Sequence, residues 1–138
     1  MNEMPVVVII SAQSEWRAVR EGFTTVSAHA GPFGEWFETG MQDHRMVFVH
    51  GGWGKIAAAA SVQWALEQWR PGLVINLGTC GGLAGQVDRG AIILATETLV
   101  YDIVEQMGDA QAAIDHYATR LDLSWLREPY PMAVIPAR

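Results

Sequence analysis

The sequence predicts an α/β fold, a layered and mostly buried sheet with helices on both faces, and three observations carry that reading. Two β-branched apolar runs, "PVVVII" at 5–10 and "LVINLG" at 73–78, read as strands buried on both sides. A stretch of helical period fills 54–69 between them. Glycine-rich segments at 51–54 and 78–82 stand where strands end, and in such sheets ligands gather beyond the carboxyl ends of the strands.

Taken in order, the strand at 5–10 is followed by "SAQSEWRAVREGF", which starts a helix with Ser11 or Ser14 available as its cap. Residues 35–40 and 45–50, separated by the turn-like "QDH", predict a hairpin or two neighbouring strands. In the helix at 54–69, Ala58, Val62, Ala65, Leu66 and Trp69 share one face, while Gln63, Glu67 and Arg70 share another. "RPG" at 70–72 stops it. After the turn "DRG" at 88–90, "AIILATETLVY" at 91–101 predicts one long central strand. Residues 110–127 are weakly helical, and "MAVIP" at 132–136 predicts a last strand. No repeat or low-complexity linker interrupts the chain, so 1–138 is read as a single domain.

Composition narrows the partners. The chain has 138 residues, half of them apolar, enough for a real core. A net charge of −6 gives no basic field, which argues against nucleic acid. The single cysteine, Cys80, makes no internal disulfide, and histidines at 29, 44, 50 and 116 are too scattered for a zinc site. A cytoplasmic protein without metal or cofactor is expected. The run Val6 to Ile10 is too short for an export signal, and nothing approaches membrane-spanning length, so no membrane association is expected. Small ligands and protein partners remain.

The glycine segment "GGWGKIAAAA" at 51–60 invites a nucleotide reading, which fails on inspection. A triphosphate loop would need glycine at 49 and a hydroxyl at 56, where the chain has Val49 and Ile56. Gly52, Gly54 and Ala57 do match the dinucleotide pattern, yet the next strand ends in Asn76 and Leu77, with no carboxylate for a ribose. Gly54 also has a purely conformational explanation, a tight strand-to-helix turn.

"VVVIISAQSEWRAV", "GGWGKIAAA", "INLGTCGGL" and "GAIILATETLVYDI", in that order and spacing, resemble the nucleoside phosphorylase superfamily, and within it the 5'-methylthioadenosine/S-adenosylhomocysteine nucleosidases. The resemblance covers about residues 5–105. It implies a mixed, partly closed sheet flanked by helices, a homo-oligomer, and cleavage of the N-glycosidic bond of a small-molecule nucleoside. It places Thr79, Cys80 and Gly81 in the loop against ribose and base, Trp53 beside the 5' substituent, and Gln13 near the ribose. Phosphorylases of the related hexameric branch hold phosphate with an arginine where this chain has Asn76, so water is the expected nucleophile. Arg17 and Arg20 could supply charge, although their helical spacing suits a solvated face.

Two departures stand against this. The resemblance implies a water-orienting glutamate four residues after Ala12, where the chain has Trp16, and indole accepts no proton. Glu15 is the remaining candidate for catalysis, but neighbouring helix positions point about 100° apart. The resemblance also implies a C-terminal Glu-Met-Glu segment that holds the ribose and an aspartate that protonates the purine; nothing in the chain matches either. A shortened member, lacking the C-terminal part of the fold and inactive by itself, is therefore expected.

Other residues have plainer readings. Cys80 is read as small buried filler, His50 as a structural histidine, and Asp102 and Glu105 as groups that bind a cation or substrate or, equally, cap a helix or face solvent. The six tryptophans, at 16, 36, 53, 64, 69 and 125, exceed what one small core requires and suggest a subunit interface. Three functions compete: hydrolysis of adenine nucleosides, phosphate-dependent nucleoside cleavage, and a non-catalytic nucleoside-binding or oligomerisation module.

Overall fold

A computed structural model of the chain describes residues 4–100, 110–124 and 133–135. The contacts divide the chain into two compact units, 1–80 and 81–138. In the first, the β-branched run forms β1 (Val6–Ile10), followed by α1 (Gln13–Gly22), the short β2 (His29–Ala30), β3 (Glu35–Met41), β4 (His44–His50), α2 (Lys55–Trp69) and β5 (Leu73–Asn76). These strands make one mixed sheet of order β2-β3-β4-β1-β5. β4 and β5 flank β1 in parallel, whereas β3 pairs antiparallel with both β4 and β2. The predicted hairpin is present, and Gln42 and Asp43 turn it with φ of 48° and 68°, the left-handed pair that suits the twist of a two-residue hairpin.

Alternation along the strands sorts the apolar residues into two layers. On one face Val8, Ile10, Phe37 and Phe48 pack with Trp16 of α1, joined by Val19 and Phe23. On the other, Val7, Ile9, Val47 and Val49 pack with Ala65 of α2, joined by Trp36, Val62, Trp64, Trp69 and Val74. The tryptophans therefore serve this core more than was expected: Trp69 meets Trp36 and Trp64 edge-on, with centroids 5.1 and 5.0 Å away. Trp53 alone among those described stands out, at 88% exposed.

Two local expectations need correction. Neither Ser11 nor Ser14 caps α1; Ala12 holds that position, with no side-chain cap. Leu66 does not share the buried face of α2 and is exposed, because that face centres on Ser61 and Ala65. Gly54 stands just before α2 with φ of 84°, which favours glycine there. The helix ends at Arg70, whose amide reaches back to the Leu66 carbonyl immediately before Pro71.

The second unit holds β6 (Ile93–Ala95), β7 (Glu97–Leu99), α3 (Ala110–Tyr117), β8 (Ala118–Arg120) and β9 (Ala133–Ile135). The single long strand expected at 91–101 is two short ones. A bend at Thr96 separates β6, which pairs in parallel with β9, from β7, which pairs antiparallel with β8. Pairing with β7 also ends the helix expected at 110–127, since residues 118–120 leave it for the strand β8. The strand expected at 132–136 is found at 133–135. Tyr101, Asp102, Glu105 and Trp125 lie outside the described residues.

Candidate functional site

The carboxyl ends of the parallel strands β1, β4 and β5 release three loops on the first unit, and these border a cleft of about 500 Å³. Ser11, Ala12 and Glu15 come from the first, Trp53 and Gly54 from the second, and Asn76, Leu77, Gly78 and Thr79 from the third. Ile9, Val62 and Val74 form an apolar wall. A strand-end cleft of mixed character is where α/β sheets bind small molecules.

The main polar feature is the Glu15 carboxylate. Its Oε1 accepts from the Thr79 amide at 2.7 Å and from the Thr79 hydroxyl at 2.6 Å. These two donors, hydroxyl first, hold the Glu15 carboxyl below its ordinary range, against a smaller upward push from burial, and the Ala12 amide adds to the lowering. That last contribution follows from position: with Ala12 as cap, Glu15 is the third helical residue, which reaches back to the cap amide. Gly78 makes the close approach possible. A Cβ there would lie 3.0 Å from Glu15 Oε2.

Trp16 faces the other way. It is 2% exposed, its ring stacks on His50 at 5.3 Å, and its indole N–H donates to Glu35 Oε2 at 3.3 Å. The carboxylate at the cleft is thus that of Glu15, and the expectation that Glu15 points aside is corrected: a helix starting at Gln13 turns position 15 to the loop and position 16 to the core. The stripe Trp16, Val19 and Phe23, spaced as one helix face, is the sequence signal for this.

Of the other predicted site residues, Thr79 and Trp53 border the cleft with Glu15. Gln13 lies apart, on a hollow formed with Trp16, Arg17, Arg20, Glu21, Thr24 and Glu35. Cys80, expected as buried filler, is instead an exposed free thiol in the loop after β5, and Gly81 begins the second unit. Arg20 is committed to the carbonyls of Phe23 and Val26 and lies 4.9 Å over the Phe37 ring, so it does not face the cleft. A residue not singled out from sequence is Ser61, whose fully buried hydroxyl donates to the Ala57 carbonyl and accepts from the Gly52 amide, each at 2.7 Å. This bond ties the glycine loop to α2. Its signal was a lone hydroxyl in an alanine-rich helix. Among the described residues, no helix is long and apolar enough to cross a membrane.

A mixed α/β sheet with a small-molecule cleft at its strand ends, built without a triphosphate loop, is the class this unit defines. The chain belongs to the phosphorylase superfamily, whose sequence pattern matches residues 5–128. It is 27% identical over 100 residues to a 5'-methylthioadenosine/S-adenosylhomocysteine nucleosidase of Bacillus thuringiensis (strain Al Hakam), a match covering 72% of this chain and 43% of that protein. The chain thus spans under half the length of that relative. Among solved structures, the corresponding nucleosidase of Neisseria meningitidis in complex with methylthio-immucillin-A shares the fold, with TM-score 0.71 and 23% identity over 96% of this chain and 62% of that one. The enzyme of S. pneumoniae, solved with a transition-state inhibitor, gives TM-score 0.72 at 17% identity over the same shares.

Proposed function

We propose that the protein is a purine nucleosidase, hydrolysing the N-glycosidic bond of adenine nucleosides such as 5'-methylthioadenosine or S-adenosylhomocysteine. The observation that carries this is the Glu15 carboxylate fixed on Thr79 at the rim of the cleft. In such a reaction the bond from the sugar to the purine breaks, the purine leaving with the bonding electron pair and taking up a proton from an acid or from solvent, and a water forms the new bond to that sugar carbon. A carboxylate accepts the proton that the water gives up and holds it in line. Glu15 takes that role. Thr79, with Cys80 beyond it, lies along the ribose and base, and Trp53 flanks the 5' substituent. Gln13, set apart from the cleft, is given no part.

Hydrolysis is favoured over phosphorolysis because Asn76, which borders the cleft, offers a neutral amide where a phosphate dianion calls for a paired guanidinium. The burial of Trp16 weakens one of the two features that speak for a non-catalytic module, the other being the unmatched ribose-holding and purine-protonating segments. The protein is also proposed to work in the cytoplasm as a homo-oligomer; Trp53 and Ile56, 88% and 90% exposed at the start of α2, support a subunit contact there.

The test is product analysis with 5'-methylthioadenosine, with and without inorganic phosphate, on a chain that includes the ribose-holding and purine-protonating parts implied by the resemblance, since residues 1–138 are expected to be inactive by themselves. Adenine and a free sugar, released without phosphate, are expected. A strict phosphate requirement with a sugar 1-phosphate product overturns hydrolysis, and absence of both binding and cleavage overturns the whole reading.

A further inference from the structure

We propose that Trp16 is a positioning residue for the hydrolysis, a pin that sets the rotation of α1 and so holds the Glu15 carboxylate on the cleft. The inference rests on the role given to Glu15 above.

Helix α1 is short, ten residues, and has no side-chain cap, so neither length nor capping fixes its rotation about its own axis. Trp16 is its one buried residue. The indole is held from three sides: Phe37 of β3 at 5.7 Å, His50 of β4 stacked at 5.3 Å with planes 9° apart, and the Glu35 carboxylate on the indole N–H. A bulky ring held this way resists rolling. Glu15 is the preceding residue on the same turn, so its direction follows whatever Trp16 does.

The lever is long enough to matter. Side chains reach about 5–6 Å from a helix axis, so a roll of about 20° carries a carboxylate about 2 Å. That displacement breaks bonds of 2.6 and 2.7 Å to Thr79. Misplacement of about 1 Å can cost about 100-fold in rate. His50 extends the effect, because it is the last residue of β4 and leads into Gly51, whose amide bonds the Ile10 carbonyl beside the start of α1. One ring thereby aligns two of the loops that border the cleft.

The experiment is a double-mutant cycle on the protein with Glu15→Gln, Trp16→Leu and the pair, with Trp16→Phe as the variant that keeps an aromatic ring and loses only the N–H. Unfolding midpoints identify variants that remain folded, and kcat and KM for 5'-methylthioadenosine are compared among those. Trp16→Leu is expected to lower kcat about tenfold or more with KM changed less than about threefold, Trp16→Phe to recover most of that loss, and Trp16→Leu to have no further effect once Glu15 is Gln. If Trp16→Leu fails to fold, the non-additivity is read from Trp16→Phe against Glu15→Gln, whose smaller loss must likewise vanish once Glu15 is Gln. Losses that multiply independently, or folded Trp16 variants with undiminished kcat, overturn the pin while leaving Glu15 in place. A Glu15→Gln variant as active as the parent overturns the role of Glu15 itself and the pin with it.

Discussion

Glu15 and Thr79, 64 positions apart in the sequence, are joined by two hydrogen bonds that end on one carboxylate oxygen. The bond pair links the first turn of α1 to the loop after β5 and places the only acidic side chain, among the described residues, that borders the cleft. Stability, ionisation and the proposed chemistry all meet at this contact.

The first consequence concerns pH. Glu15 titrates below its ordinary value of 4.5 in the folded protein, chiefly because the Thr79 hydroxyl donates to it. A carboxyl lowered on folding contributes stability above its unfolded pKa and loses it as the pH falls through the folded one. Ionised Glu15, and activity that depends on it, should persist below pH 4.5. Thr79→Val removes the hydroxyl but keeps the amide, so the acid limb of kcat/KM should move up toward the ordinary value. A limb that stays in place, or moves down, contradicts this assignment.

Trp16→Glu would restore a carboxylate at the position where the family resemblance puts one. The structure predicts harm from it. The side chain would enter the layer of Phe37, Phe48 and His50, and an uncompensated buried charge costs about 3–5 kcal/mol. Denaturant unfolding should show that loss, and nucleoside hydrolysis should not rise.

Ser61→Ala should destabilise the first unit by about 1–3 kcal/mol, the cost of leaving a partly buried donor without its acceptor. The Gly52 amide is that donor. Amide hydrogen exchange should quicken around Gly51 to Gly54 more than in β1, and uniform protection in both places would show that the serine does not hold the loop.

The strands β1, β4 and β5 were legible because β-branched runs such as "VVVII" and "LVIN" signal burial on two faces without help from tertiary context. β2 was not, since His29 and Ala30 are exposed and become a strand only by pairing with β3. The break at Thr96 was hidden because β-branched residues run across it, with Thr96 and Thr98 continuing the strand-forming pattern, while the change of partner from β9 to β8 is a long-range property. At the site, the glycine loops, Trp53 and Thr79 could be named from motifs. Which of Glu15 and Trp16 faces the cleft depends on where α1 begins, and with Ala12 as cap no Ser, Thr, Asp or Asn marks that point.

The most direct test of the central claim is the rate of adenine release from 5'-methylthioadenosine by the protein and by its Glu15→Gln variant, both shown to be folded. Glutamine keeps the shape of the side chain and loses its capacity to take a proton. General-base catalysis contributes about 10²–10⁴-fold, so a fall of at least tenfold is predicted. An unchanged rate in the variant would contradict the account.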